Sequence, residues 1–401
     1  MKETYLDYSS TTPTRKEALK EALPYFTEKF GNPSSFHSTG LVAKKAIIEA
    51  RANIAKTLNC APEEIIFTGS GTESINLALK GVAFHSMLEG KKGVFITQKT
   101  EHHAVLETLK WLERFGFNTL FVKVDETGTV DLKDLKKLLT ENLGNVLMVS
   151  IMYANNEIGT IQPLKEISLV CHTHNTLFHT DACQGAEYLN LNVKELGVDL
   201  MTLNGSKVYA FKGTGLLYKK AEVKLEALIH GGAHEGGMRA GTENVPGIIA
   251  LATALTLAEK EKKKESKRLT ALRNYLIKKV EKEIPRVYLN GHRENRLPNN
   301  VNTSFEGVEG ESILLRLNEK GIRISTGSAC TSHSLDPSHV LLAIGRDHAL
   351  AHGSIRFSLG KDTTKKQIDY TIKQLKETIE FLRKISPVWG KNENELRRME
   401  K

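Results

Sequence analysis

The chain has 401 residues, 40% of them apolar, with 31 glycines, which is the range of ordinary globular proteins and excludes a disordered or fibrous chain. Lys and Arg number 56 against 47 Asp and Glu, a formal net charge of +9 that permits an anionic ligand or an acidic or nucleic-acid partner and requires none. Four cysteines, Cys60, Cys171, Cys183 and Cys330, form no CxxC pair and no zinc spacing, which argues against a disulfide scaffold and a structural metal and leads us to expect a reducing, cytoplasmic location.

The opening MKETYLDYSSTTP lacks a basic region followed by an apolar stretch, so no signal peptide is expected. Apolar runs at 65–67 (IIF), 93–97 (GVFIT), 119–124 (TLFVKV), 146–152 (VLMVSIM), 177–181 (LFHTD), 198–203 (VDLMTL) and 215–218 (GLLY) alternate with helical spacing. Near-continuous apolar strands of this kind predict βαβ units and a mostly parallel sheet covered on both faces. The longest apolar stretch, GIIALATALTL at 247–257, is far short of the roughly 20 residues that span a bilayer. From 259 to 284 the spacing predicts a charged helix with Leu269, Leu272, Leu276 and Val280 on one stripe. A late helix carries Ile368, Ile372, Leu375, Ile379 and Leu382. The change of pattern places a boundary near residue 260, with residues 1–12 expected near the site or the C-terminal domain. The charge run EKEKKKESKR (259–268) reads as a solvated helix face.

Three segments carry candidate chemistry. In FTGSGTESINLALKG (67–81) a strand ends at Gly69-Ser70-Gly71 and a helix begins at Thr72, where free amides and the helix dipole suit a phosphate. It is neither GxGxxG nor a Walker motif, and alone it serves equally as a capped turn. In HTDACQG (179–185) Asp181 ends an apolar strand, where ligands of open α/β sheets sit, and a carboxylate there faces a cation or caps a helix. In VDLMTLNGSKVYAFKGTGLLY (198–218) Lys207 follows another strand after Asn204-Gly205-Ser206, with Lys212 as its rival. A lysine on a short turn between buried strands is suited to attack an aldehyde, because desolvation lowers the pKa of an amine.

These elements in this order resemble the fold type I pyridoxal phosphate enzymes. YLDYSSTTP (5–13), GNPSS (31–35), TGSGTES (68–74), TEHHAV (100–105), NNEIGTIQ (155–162), HTDACQ (179–184), GGAHEGGMRAGTENV (231–245), STGSACTS (325–332) and SIRFSLG (354–360) narrow the resemblance. Over nearly the whole chain it is similar to the cysteine desulfurases of the class V aminotransferase family, in the branch of the housekeeping and nitrogen-fixation iron–sulfur enzymes. The fold implied is α/β, with a large cofactor domain at 13–260 built on a mostly parallel sheet. A smaller α+β domain would combine 1–12 with 261–401 and carry a catalytic cysteine loop at about 323–336.

The resemblance implies pyridoxal 5'-phosphate carried by Lys207, with Asp181 paired to the ring nitrogen and His102 stacked on the ring. Asn156 and Gln184 match residues near the ring's 3-oxygen and face, and Asn204 lies among the cofactor contacts. Gly71, Thr72 and Ser206 would hold the phosphate, joined by Thr242 from a second subunit, which implies a homodimer. Arg356 matches the arginine that grips the substrate α-carboxylate, with Asn156 beside it, and His102 would also shuttle protons. Cys330, in a Gly/Ser-rich segment, would attack the sulfur of L-cysteine, keep it as a persulfide and release L-alanine. No metal is implied beyond a transient iron–sulfur ligand at Cys330. STGSACTS resembles the long-loop branch, which delivers sulfur to an iron–sulfur scaffold or to tRNA-thiolation enzymes.

Most relatives carry His before the Schiff-base lysine and Gly-Pro before the next Lys-Gly, where this chain has Ser206 and Ala210-Phe211. The departures imply altered rate or cofactor retention rather than inactivity, since serine still donates to phosphate and alanine is costly only at positive φ. The tail element SPVW either docks an acceptor protein or packs the last turn. Alternatives to the desulfurase are a pyridoxal-phosphate-dependent lyase or desulfurase acting on another β-substituted amino acid such as selenocysteine, and a non-catalytic regulatory or RNA-binding paralogue.

Overall fold

The seven apolar runs meet in one sheet in the computed structural model, which describes residues 3–326, 336–387 and 389–390. After a short first strand, β1 (Thr4–Tyr5), they form β2 (Ile65–Thr68), β3 (Val94–Gln98), β4 (Asn118–Val122), β5 (Val146–Ser150), β6 (Leu177–Asp181), β7 (Leu200–Asn204) and β8 (Gly215–Lys219). The sheet order is β2-β8-β7-β6-β5-β3-β4, with β8 antiparallel to both neighbours and the other pairs parallel. Every residue of β2 and β3 is buried, as expected for strands covered on both faces. The carboxyl ends of β2, β6 and β7 lie along one edge, where ligands of such sheets bind.

The C-terminal part contributes β9 (Val287–Asn290), β10 (Asn300–Phe305), β11 (Ile322–Arg323), β12 (Ser325–Thr326) and β13 (Ser354–Ser358). Of these, β12-β13-β10-β9 form an antiparallel sheet, and β11 pairs in parallel with β1. The helix Lys365–Ile385 begins with a Thr364/Gln367 capping box and contributes Ile368, Ile372, Leu375 and Ile379 to the core that includes that sheet.

The expected boundary near residue 260 falls inside one uninterrupted helix, Val245–Glu283. Its apolar first half, through Leu255, belongs to the core of the large sheet, while Leu269, Leu276, Ile277 and Val280 enter the core of the small one. The charged middle crosses between the two cores. This is why the apolar pattern breaks there although the backbone does not.

The N-terminal residues connect both cores. Leu6 is buried in the small one and Asp7 bridges to Ser358, whereas the Thr12 amide donates to the Ser206 carbonyl at 2.9 Å. At the other end of the described chain, the Trp389 ring lies 3.9 Å beneath the Arg383 guanidinium and 5.1 Å from that of Arg286, so this part of SPVW packs onto its own domain. Cys330 and the tail from 391 lie outside the described residues. Among the described residues no helix is long and apolar enough to cross a membrane.

Candidate active site

The carboxyl edge of the large sheet opens into a cavity of ≈ 270 Å³ that brings together Gly71, Thr72, His102, Asn156, Asp181, Gln184, Asn204, Lys207 and Arg356. One wall is the start of the helix Gly71–Leu88, capped by the Ser70 side chain, which accepts from the Glu73 amide. A Cβ on residue 71 would stand 2.9 Å from Cys183 Sγ and 3.3 Å from Asn204 Cβ, so only glycine leaves this wall open. Asp181, 7% exposed at the end of β6, accepts the Cys183 amide at 2.9 Å. Asn204, at the end of β7, turns its Oδ1 to the amide and hydroxyl of Ser206 at 3.1 and 3.2 Å, shaping the turn that presents Lys207.

Lys207 reaches back across the cavity to the N-terminal segment, where its Nζ donates to the Ser9 carbonyl at 2.9 Å and the Ser10 carbonyl at 2.5 Å. Gln184 Nε2 donates to the same Ser9 carbonyl at 2.9 Å. Lys212 is exposed and does not line the cavity. Arg356, in the middle of β13, donates from Nη1 to the Asn156 carbonyl and from Nη2 to Asp7 Oδ1 and Ser10 Oγ. Ser9, Ser10, Ile75, Met152 and Ala154, which did not stand out individually in the sequence, complete the lining together with Cys183.

His102 caps the helix His103–Glu113, its Nδ1 accepting the Ala104 amide at 3.0 Å. That bond puts the proton of the neutral ring on Nε2. Burial, with a smaller push from Lys207, holds its pKa below the usual histidine range against the opposing pull of Asp181. The neighbouring His103 instead packs against His339, ring centroids 4.6 Å apart.

Beside the lining residues Met152 and Asn156 are two buried acids that sequence reading missed. Glu101 is fully buried and its carboxyl is pushed up to about 8 by burial, although Oε1 accepts from the Met152 amide and from Gln98. Glu157 is pushed up to about 7 by burial, opposed by a Ser338 hydrogen bond and the Arg356 charge. His179, buried two residues before Asp181, sits between Ser150 Oγ and Thr202 Oγ1 at 2.8 and 3.1 Å, and burial lowers its pKa to about 4. Between about pH 6.5 and 4 the unfolded ring binds a proton that the folded one refuses, so stability falls as pH falls through that window. His179→Gln should therefore reduce the loss of unfolding free energy between pH 7 and pH 4.5 by about 2–3 kcal/mol, read from urea midpoints.

Two candidates lie apart from the cavity. The Ser206 hydroxyl is taken up by Asn204, and Thr242 lines a separate cavity of ≈ 260 Å³ with Gly69, Gly215 and Arg239. The substitution at 210 is conformationally mild. Ala210 is not among the positive-φ residues, whereas Tyr209 is, at φ 60°, held by its amide on Thr12 Oγ1 and its carbonyl on the Arg15 amide.

The sheet order and a strand-end site with this set of side chains define a class of protein, and the family model for class V aminotransferases matches residues 4–371. The chain belongs to that family, whose members work with pyridoxal phosphate. Within the family its relatives are cysteine desulfurases: it is 53% identical over 386 residues, 96% of this chain and 97% of the relative, to cysteine desulfurase IscS of Dictyoglomus turgidum. Among solved structures, a NifS-like protein superposes with a TM-score of 0.88 at 37% identity, covering 94% of this chain and all of that one. SspA in complex with cysteine does so with 0.77 at 35%, covering 89% and 98%.

The residues fit the cofactor. The open helix start is chemically matched to a phosphate, the buried Asp181 carboxylate to a protonated ring nitrogen and the Lys207 amine to an aldehyde.

Proposed function

We propose that this chain removes sulfur from L-cysteine, releases L-alanine and holds the sulfur as a persulfide on Cys330 for delivery to an acceptor protein, in iron–sulfur cluster assembly or tRNA thiolation. The observation that carries the reading is the convergence of Lys207, Asp181 and Arg356 on one cavity in a member of this family. When bound, the cofactor supplies an electron-withdrawing ring that stabilises charge at the substrate α-carbon. Asp181 would hold the ring nitrogen's proton, and Gly71 and Thr72 would hold the phosphate. His102, neutral and fixed by its cap, would stack on the ring, with Asn156, Gln184 and Asn204 lining the same cavity. Arg356 grips the α-carboxylate, and Lys207 moves the α-proton.

The Cys330 thiolate attacks the substrate sulfur. An S–S bond forms as the C–S bond breaks, its electron pair stays with carbon, and carbon takes up a proton to become alanine. The other thiols are poor competitors, because burial raises the pKa of Cys60, Cys171 and Cys183 and keeps them protonated. Arg356 takes a carboxylate and the cavity also admits other β-substituted amino acids, but a lyase needs no sulfur acceptor. Cys330→Ser separates the two: alanine formation from cysteine should fall to background, whereas turnover at the parent rate would refute the role of Cys330.

We place the cofactor domain at 13–260 and the small domain at 1–12 with 261–401. A homodimer is supported by the exposed aromatic side chains of Phe26, Phe30 and Phe36, which are 57%, 70% and 93% exposed, and by the position of Thr242 outside its own chain's cavity, free to reach a partner's. Ser206, beside the lysine, is proposed for the same phosphate, to which its hydroxyl would donate on releasing Asn204 Oδ1. A reducing, cytoplasmic setting suits an enzyme whose working group is a free thiol.

A further inference from the structure

We propose that Asp7, together with Ser10, occupies the carboxylate seat on Arg356 when substrate is absent, so that an amino-acid carboxylate binds this arginine by exchange with a carboxylate of the chain itself. The inference rests on the substrate role of Arg356 given above.

A guanidinium offers two edges for a two-pronged grip on a carboxylate, Nε with Nη2 and Nη1 with Nη2. Both edges contain Nη2. Here Nη2 donates to Asp7 Oδ1 at 2.9 Å and to Ser10 Oγ at 2.6 Å, which uses both its hydrogens. The triangle is closed by Ser10 Oγ, which donates to Asp7 Oδ1 at 2.8 Å. Nη1 donates once, to the Asn156 carbonyl at 3.1 Å, and Nε is buried without a partner. Neither edge grips an incoming carboxylate until Nη2 lets go of Asp7 or Ser10.

The arrangement has a physical reason. The Arg356 side chain is 4% exposed and that of Asp7 19%, so a cation poised for an anionic substrate would otherwise stand largely desolvated and unpaired. The aim of Arg356 does not depend on Asp7, because β13 is paired on both sides and Nη1 keeps the Asn156 carbonyl. Asp7 is itself held by its backbone, through the bridge to Ser358 and the Tyr5 hydroxyl on its carbonyl, so its carboxylate can be changed without moving the strand. Asp7 is thus a positioning residue that sets the strength of carboxylate binding by competing for it.

Competition and simple support predict opposite signs. Asp7→Asn keeps the shape and one acceptor but removes the rival charge, and in the holoenzyme it should lower the dissociation constant for L-alanine, followed by the cofactor's absorbance, and the KM for L-cysteine by about fivefold. Asp7→Ser should act in the same direction, which guards against a folding defect peculiar to one variant. In an Arg356→Lys background, which alone should weaken L-alanine binding, the tightening should disappear. Unchanged or weaker alanine binding in both Asp7 variants, with Arg356→Lys weakened as expected, overturns the exchange and leaves the role of Arg356 standing. If Arg356→Lys binds alanine as the parent does, the role of Arg356 falls and the inference with it.

Discussion

Lys207→Ala is expected to fold, to lose its cofactor on dialysis and to form alanine from cysteine at least about 10³-fold more slowly than the parent, near the upper end of what a positioned proton-transfer group contributes. The fold should survive because the amine's partners include the carbonyls of Ser9 and Ser10, which line the cavity and are left to water when the side chain is shortened. Lys212→Ala is the internal control, since Lys212 is exposed and away from the cavity. Alanine formation and retained cofactor absorbance, measured on both variants, check the assignment. A Lys207→Ala protein that keeps both at parental levels would transfer the role elsewhere.

The second large effect concerns charge alone. Asp181→Asn keeps an acceptor for the Cys183 amide and nearly the same volume at the end of β6, but removes the buried anion that faces the cavity. We expect kcat to fall by about 10²–10³, the scale on which loss of one preorganised electrostatic partner is felt. KM should move little, because the carboxylate is assigned to Arg356 and not to Asp181. A shift in KM with kcat preserved contradicts that division of labour.

How much of this was readable beforehand depended on whether a property lives in residue type or in backbone. The strands were legible because runs such as IIFT and LMTL are buried on both faces and carry no polar alternation. Lys207, Asp181 and Gly71 were legible because each stands where an apolar run stops, which is where a strand end faces ligand. The helix Val245–Glu283 reads as two segments in the sequence because its middle passes between cores and exposes charge there.

The part of Ser9 and Ser10 in holding Lys207 and Gln184 was hidden for a different reason. It is played by carbonyl oxygens, which every residue has. The Asp7–Arg356 pair joins positions at opposite ends of the chain, and nothing local to either announces the other. Glu101 and Glu157 resemble surface acids in sequence. Only the fold shows that both are buried, which raises their carboxyl pKa values although Met152, Gln98 and Ser338 donate hydrogen bonds to them. Ser206 was assigned by analogy to the phosphate, while within this chain its hydroxyl is engaged by Asn204.

The central claim is that sulfur leaves L-cysteine as persulfide sulfur while the carbon skeleton leaves as alanine. The most direct measurement is to incubate the holoenzyme with L-cysteine and a dithiol reductant and to quantify alanine, sulfide, pyruvate and ammonia over the same interval. Alanine and sulfide in equal amounts, without pyruvate, is the predicted result. Sulfide accompanied by equal pyruvate and ammonia, with no alanine, would show elimination by a lyase and contradict it.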